Sequence, residues 1–466
     1  MIDRLDPEAF RNHLHKEIAA ALPTIGSSAA AQWTETASGE LPSYFAVTDL
    51  AVASVGAAAH AMSALSADAK RAPSPVTIDR RLASFWFKTS LRPTGWSLSP
   101  QWDPVAGDYA ARDGWIRLHT NAPHHQKAAL AVLGVSADRD AVAQAVSSWT
   151  ADELEAAVVN AGGAAATMRG LSDWAAHPQG RAVMSEPLIA WTEATTDSID
   201  HRTLNADRPL HGYRILDLTR VLAGPVATRF LAAFGADVLR IDPPNWNEPA
   251  VEPEMTLGKR CAGLDLKTPN GRDALLSLAE TADVIVHGYR PGALARMGCA
   301  PETLRAQNPA LIDVALDAYG WSGPWAGRRG FDSLVQMSSG IAQFGMEQAN
   351  ADRPTPLPAQ ALDHATGYLM AAAVVHALTE RRRRPVALSA RLSLARTAAL
   401  LVPSARAQLG EPPKPEQSDD VDVHIEATAW GPAHRLQPPF AIEALRAAWA
   451  HPAGNLRTSE AEWTPS

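Results

Sequence analysis

The sequence predicts an α/β protein: a doubly wound, mainly parallel, Rossmann-like sheet with a smaller α+β domain. Three observations predict it. The stretch "YRILDLTRVLAGPVATRFLAAFGADVLRID" reads as an apolar strand, a small-residue turn, an Ala/Leu helix and a second strand ending in Asp242. The alternation continues through the helical "NGRDALLSLAETA", the strand "DVIVHGY", the turn "RPG" and a strand in "LIDVALDAYG". Finally, 466 residues with 46% hydrophobic content exceed one ordinary core and can fill two or three.

The first 200 residues have a different texture, with mixed helices and a few strands such as "DGWIRLHT" (Asp113–Thr120). Thr150 with Glu153 three residues later predicts a capping box at a helix start, and "NAGGAAA" a glycine stop at its end. A polar, aperiodic stretch at 192–212 reads as a linker, and "GEPPKPEQSDDVD" as a second break. The expected units are therefore residues 1–200, 201–410 and a tail, 411–466, packed on the large unit. A faint repeat relates "TDLAVASVGAAAHAMSAL" to "LDHATGYLMAAAVVHAL", and "VTIDRRL" to "VALSARL".

Composition excludes several classes. A net charge of −8 and pI near 6.0 argue against nucleic acid as the partner, because phosphate binding needs a positive field. The acidic start lacks a leader's apolar core and no apolar run reaches membrane-span length, so a cytoplasmic protein without a membrane partner is expected. Cys261 and Cys299 are too few for a disulfide framework and lack metal spacing. His119, His124 and His125 in "LHTNAPHHQKAAL" lack a Cys or carboxylate at ligand spacing, so surface histidines near a helix start are expected and no metal.

Ligands of doubly wound sheets gather beyond the strands' carboxyl ends, where Arg220, His287, Gly288, Tyr289 and Tyr319 are expected. The turn "TRVLAGPVATRF" lacks G-x-G-x-x-G, which argues against a dinucleotide enzyme. Asp363 stands at the head of "ALDHATGYLMAAAVVHAL", a predicted buried helix. An ordinary N-cap aspartate explains that position too. A nucleophilic carboxylate must be ionised yet stripped of water, and a helix N-terminus could hold it charged by roughly 0.5–2 kcal/mol.

Taken together, "ILDLTRVLAGPVAT", "GADVLRIDPP", "GKRCAGLDLKTPNGRDAL", "ADVIVHGYRPGALARMG", "NPALIDVALDAYGWSGPWAGRRGFDSLVQMSSG" and "LDHATGYLMAAAVVHAL" resemble family III CoA-transferases, the formyl-CoA, carnitine and bile-acid type. Six motifs in order across 213 to about 400 make the resemblance specific. It implies that family's fold and an acyl-CoA and a small carboxylic acid as substrates. Coenzyme A enters as substrate, with no permanently bound cofactor. The resemblance assigns Asp363 as the nucleophile, passing through an aspartyl anhydride and an aspartyl-CoA thioester. It places Val221, Leu222 and Ala223 on the nucleotide, Leu264, Asp265, Leu266 and Lys267 around adenine and phosphate, Gly288, Tyr289 and Tyr319 in the same site, and Arg296 on a CoA phosphate.

Departures from the family pattern are Gly288 where asparagine is common, Pro243 where some members carry arginine, and Asp317 where the formyl-CoA type has lysine. The N-terminal half resembles the family's second half placed first, a permuted or partly duplicated layout, with a second aspartate, Asp49. The resemblance also implies a homodimer, in the family an interlocked one. Oxyanion donors are expected from Ser338–Gly340 or near Gly162, and Gly367 is expected to ease substrate approach beside Asp363. Two rivals remain: an α-methylacyl-CoA racemase, whose histidine position here holds Phe331, and a non-catalytic acyl-CoA-binding paralogue.

Overall fold

In the computed structural model, residues 4–23, 33–67, 73–197 and 199–465 are described. Seven strands form the main sheet: β1 Ala190–Thr195, β2 Arg214–Leu218, β3 Asp237–Asp242, β4 Arg260–Gly263, β5 Val284–His287, β6 Ile312–Asp317 and β7 Val386–Ser393. Their order is β4-β3-β2-β5-β6-β7-β1, parallel except for β1, which runs antiparallel along β7. Covering layers on both faces explain why apolar residues of the central strands point to either side: in β5, Val284 and Val286 face one core and Ile285 the other. β1 is half exposed, as an edge strand can be.

Four helices position the site: α1 Val47–Ser66, α2 Ala223–Ala233, α3 Asp332–Ser338 and α4 Ala361–Arg381. α4 is buried all round except for Glu380, as a helix with apolar or small residues on every face must be. It shares one core with α1 and α2. A Cβ on Gly367 would lie 2.3 Å from the Ala223 carbonyl oxygen and 2.8 Å from Val226 Cβ. Gly367 therefore lets α4 press against α2. It does not serve substrate approach, as the sequence had suggested.

Residues from both sides of position 200 share this core: α1 packs with α2 and α4, and β1, which overlaps the start of the predicted linker, adds the antiparallel edge strand to the main sheet. Pattern reading does not reach this pairing because β1 is short and its outer edge polar. The tail is also less simple than expected. Gly431–Arg435 pairs with Leu91–Pro93 and Phe440–Ile442 with Val76–Asp79, while Ser459 N–H bonds the Cys261 carbonyl of β4 at 2.8 Å. It therefore binds both halves.

The repeat is structural. Thr34–Thr36, Val76–Asp79 and Phe440–Ile442 form a three-stranded sheet, parallel then antiparallel, as β6, β7 and β1 do. Asp49 and Asp363 each occupy the third residue of α1 and α4. Asp79 and Ser393 each cap the next helix, accepting from Leu82 and Arg396 N–H. One residue offset relates Asp49 to Asp363, Asp79 to Ser393 and Arg80 to Leu394.

The smaller α+β unit pairs Gly107–Ala110, Trp115–Leu118 and Ala165–Thr167 antiparallel. The helix Ala151–Asn160 backs it, with Ile116, Val142 and Leu154 in a separate core. Thr150 caps that helix by accepting from Glu153 N–H at 3.3 Å, while its hydroxyl donates to the Glu153 carboxylate at 2.7 Å, so only one arm of the expected box forms. Ala164 and Ala166 dock on Leu334 and Met337 of α3, bringing the unit to the carboxyl edge of the main sheet.

Gly367→Ala should destabilise the fold by about 1–3 kcal/mol, because backbone rather than a pliable side chain opposes the new methyl. Gly114→Ala, with open space at its Cβ, should stay within about 0.5 kcal/mol of the parent in urea unfolding.

Candidate active site

The turn after β2 forms the floor of a cleft. Asp217, fully buried, accepts from Thr219 N–H at 2.9 Å and pairs with Lys259 Nζ at 2.9 Å, and Lys259 also donates to the Pro225 carbonyl at 3.0 Å. Lys259 and the surrounding hydroxyls hold the Asp217 carboxyl below its usual range against the cost of burial. Val221 then turns through φ 65°, the left-handed region that a β-branched residue rarely adopts and that costs of order 1–3 kcal/mol. Glu248 fixes it there. Its carboxylate accepts from Val221 N–H at 3.0 Å and from Trp246 Nε1 at 2.7 Å, and pairs with buried Arg240.

The cleft above this floor holds about 600 Å³. Val221, Ala223, Leu264, Asp265, Leu266, Lys267, Gly288, Tyr289, Arg296 and Asp363 all line it. Leu222 and Tyr319 do not. Leu222 points into the core at the start of α2. Tyr319 lies beneath Gly330, whose Cβ would sit 2.6 Å from its ring, and its hydroxyl meets Ser338 Oγ at 3.1 Å. His287 faces a separate small cavity and contacts Asp313 at 3.2 Å.

Several lining residues were not singled out from sequence: Arg290, Arg328, Arg329 and Trp246; His124 and His125, expected only as surface histidines, line it too. Arg290, Arg296, Arg329 and Lys267 have no carboxylate partner among the described residues. Burial first, then the neighbouring Arg329 and Arg296, lower the Arg290 guanidinium below its usual value. Like charges gathered without counter-ions form a ready anion site. The net charge of −8 makes this concentration of cations more telling. Arg220 lies 5.4 Å from the Trp246 ring and 5.2 Å from that of Tyr289, making a flat cationic and aromatic surface.

The same cleft is lined by Asp363, 6% exposed. It is the third helical residue of α4 and not its N-cap, which is Gln360. No described residue donates a hydrogen bond to its carboxyl oxygens. Its backbone N–H instead donates to Asp332 Oδ2 at 2.9 Å, and Asp332 also accepts from Leu362 N–H and Gln336 Nε2. Burial and the Asp332 charge raise the Asp363 carboxyl well above its usual value, and burial raises Asp332 to about 6. The expectation that the helix N-terminus could hold Asp363 charged is corrected: burial and the Asp332 charge act in the opposite direction and raise it. Asp332 was missed, though it lies in the quoted "RGFDSLVQ" motif.

The histidines are corrected as well. His119 and His125 are buried, 5% and 4% exposed, and only His124 is a surface residue. His119 stacks on Phe331 with centroids 3.7 Å apart, and His125 meets the same ring edge-on at 5.7 Å. Burial holds His119 well below its usual value and lowers His125 to about 3, so both are neutral. The proposed oxyanion segments are elsewhere. Gly340 is packed on Leu171 and Gly162 ends a helix outside the cleft lining. Asp49 also lies outside it, paired with Arg80 at 2.7 Å, which holds Glu35 at 2.8 Å. Where Arg80 neutralises Asp49, the corresponding Leu394 leaves Asp363 unpaired and lines the cleft. Among the described residues no cluster of His, Cys, Asp and Glu is gathered for a metal, and no helix is long and apolar enough to cross a membrane.

Residues 210–430 match the model of a family described as CoA-transferase family III. The chain is 36% identical over 199 residues to the probable fatty acyl-CoA transferase Rv3272 of Mycobacterium tuberculosis, covering 40% of this chain and 50% of that protein. It is 31% identical over 249 residues to succinyl-CoA:glutarate CoA-transferase of Mus musculus, covering 50% and 53%. A crystal structure of Rv3272 matches with a TM-score of 0.38 at 34% identity, over 42% of this chain and 57% of that one. The chain thus spans about half the length of the curated relatives it matches.

One pH dependence follows from Asp317, which lines the same cleft. Burial raises its carboxyl to about 7, although Gly320 N–H donates to it at 2.7 Å. The folded chain then binds more protons here than the unfolded chain between the ordinary carboxylate value and about 7. Its contribution to stability therefore falls as pH rises through that window, by at most about 1.4 kcal/mol per unit. Asp317→Asn should gain stability relative to the parent from pH 4 to 7 and level off above, as measured by urea unfolding at each pH. A pH-independent difference would contradict this.

Proposed function

We propose that this chain, whose residues 210–430 match the model of CoA-transferase family III, is an enzyme that moves coenzyme A between an acyl-CoA thioester and a free carboxylic acid, with Asp363 as acyl acceptor. The observation that carries the reading is a single cleft lined both by cations without carboxylate partners and by a buried carboxyl group, Asp363, that accepts no hydrogen bond from a described residue. Arg290, Arg296, Arg329 and Lys267 would take the phosphates of CoA. Val221, Ala223 and the 264–266 segment would flank its nucleotide and arm, and Tyr289 with Arg220 would offer a flat stacking face.

In the chemistry, an Asp363 carboxylate oxygen attacks the thioester carbonyl, and the C–S bond breaks to give an acyl-aspartyl anhydride and CoA thiolate. The thiolate attacks the aspartyl carbonyl and expels the first acid, leaving an aspartyl-CoA thioester. The acceptor carboxylate attacks that thioester, forming a second anhydride and releasing thiolate. Thiolate attack on the new acyl carbon yields acyl-CoA and regenerates Asp363. No proton is consumed, but Asp363 must start ionised. The Asp332–Asp363 pair titrates as a unit, so loss of its shared proton sets the acid limb of activity. Homodimerisation, implied by the resemblance, would add a second cleft, since one chain already encloses this one.

A second reading has one observation in its favour. His125 lines the same cleft as Asp363, and neither of its ring nitrogens has a hydrogen-bond partner among the described residues. A neutral imidazole and a carboxylate could pass an α-proton of the thioester, as a racemase does. Deuterium incorporation at the α-carbon of acyl-CoA in D₂O, without CoA exchange onto a labelled acid, would select that reading.

Asp363→Asn should lower label exchange between acyl-CoA and free acid by ~1,000-fold or more, whereas Asp49→Asn should leave it within about twofold. An active Asp363→Asn enzyme overturns the reading. Asp332→Asn removes a like charge beside the nucleophile, so the acid limb of kcat/KM should move down by about one pH unit. An unmoved limb would disconnect the pair from catalysis.

A further inference from the structure

A second cavity of about 460 Å³ adjoins the cleft, sharing Val221, Trp246, His124 and Phe331 with it. Gln360, three residues before Asp363, borders it from the other side. An acyl group carried to Asp363 therefore has room to extend past Phe331 into this chamber. The volume lies within the usual range for ligand pockets and far exceeds a formyl or acetyl group.

The chamber's walls set its chemistry. Trp102, Trp246, Phe331 and His119 present ring faces and edges, with Trp102 edge-on to His119 at 5.8 Å and His119 flat on Phe331. His119 is kept neutral by burial. The carboxylates at the wall are satisfied from within. Asp103 accepts from Thr120 Oγ1 at 2.7 Å and Gln126 Nε2 at 2.7 Å, and Glu248 is held by Arg240 and Trp246. No lysine or arginine lines the chamber among the described residues. A second carboxylate on the acyl group would be desolvated there with no cation to meet it and two carboxylates nearby, at a cost no wall group offsets.

We propose that this chamber is the acyl subsite and that it selects bulky, uncharged, ring-bearing acids while disfavouring dicarboxylic acyl groups. The inference rests on reading the adjoining cleft as a CoA thioester site, but its test reads binding and needs no turnover. Calorimetry on the full chain would compare CoA, phenylacetyl-CoA and succinyl-CoA. Phenylacetyl-CoA should bind at least tenfold tighter than CoA, and succinyl-CoA no tighter than CoA.

Trp102→Leu should reduce the phenylacetyl gain to about threefold or less with CoA affinity unchanged. Asn245→Lys, at an exposed position on the chamber rim, should raise succinyl-CoA affinity about tenfold without altering that for CoA. Tighter binding of succinyl-CoA than phenylacetyl-CoA by the parent chain overturns the proposal. So does a Trp102→Leu variant that weakens CoA and phenylacetyl-CoA equally, or the absence of binding by all three. Selective binding without exchange would leave the subsite standing and sink the transferase reading instead.

Discussion

The hydrogen bond from the Asp363 backbone to the Asp332 carboxylate, 2.9 Å long, joins the first turns of α3 and α4 and sets two buried carboxyl groups side by side. Much of the surrounding architecture serves that arrangement. α4 is fixed along its length by α1 and α2, so its first turn cannot retreat toward water. Gly367 allows the approach to α2. The docking of the smaller unit on α3 buries Asp332 completely. A nucleophile in such a place has few competing partners, and the cost is a proton held more tightly than a free aspartate would hold it.

Charge is sorted across the cleft. Arg290, Arg296, Arg329 and Lys267, which face it, lack carboxylate partners among the described residues, while Arg328 beside them pairs with Glu155 and, just beneath, Lys259 and Arg240 are held by carboxylates. The strained Val221 sits where these two arrangements meet. Asp217 holds one side of its turn and Glu248 the other, so the fold stores strain at the one loop that must approach a ligand closely. The duplicated half shows the contrast. Its aspartate has the same helical position but is quenched by Arg80, and its three-stranded sheet has no counterpart of β2–β5 to build a phosphate site.

Sequence reasoning reached the alternating strands and helices, because two covered faces demand short, mainly apolar strands between amphipathic helices, and it reached most of the lining from Val221 to Arg296, because those residues follow strand ends. It did not reach contacts made across the chain. Asp332 looks like an ordinary first-turn acid until α4 is placed beside it. His119 and His125 look solvated until Phe331 closes over them. Tyr319 follows a strand end like Tyr289 but is covered by Gly330. That α1 and β1 pack with elements from beyond residue 200 was not legible, because nothing local in a short, half-polar strand or an alanine-rich helix names its partner. The repeat was legible in the aspartates, while its true register emerged only from the caps Asp79 and Ser393.

The central claim is that Asp363 becomes covalently joined to the acyl group and then to coenzyme A. Incubation with acyl-CoA, quenching with hydroxylamine and peptide mass spectrometry test it directly. The account predicts a hydroxamate on the peptide carrying Asp363, formed only when acyl-CoA is present, with the Asp49 peptide unmodified. An unmodified Asp363 in an enzyme that is exchanging CoA would contradict it.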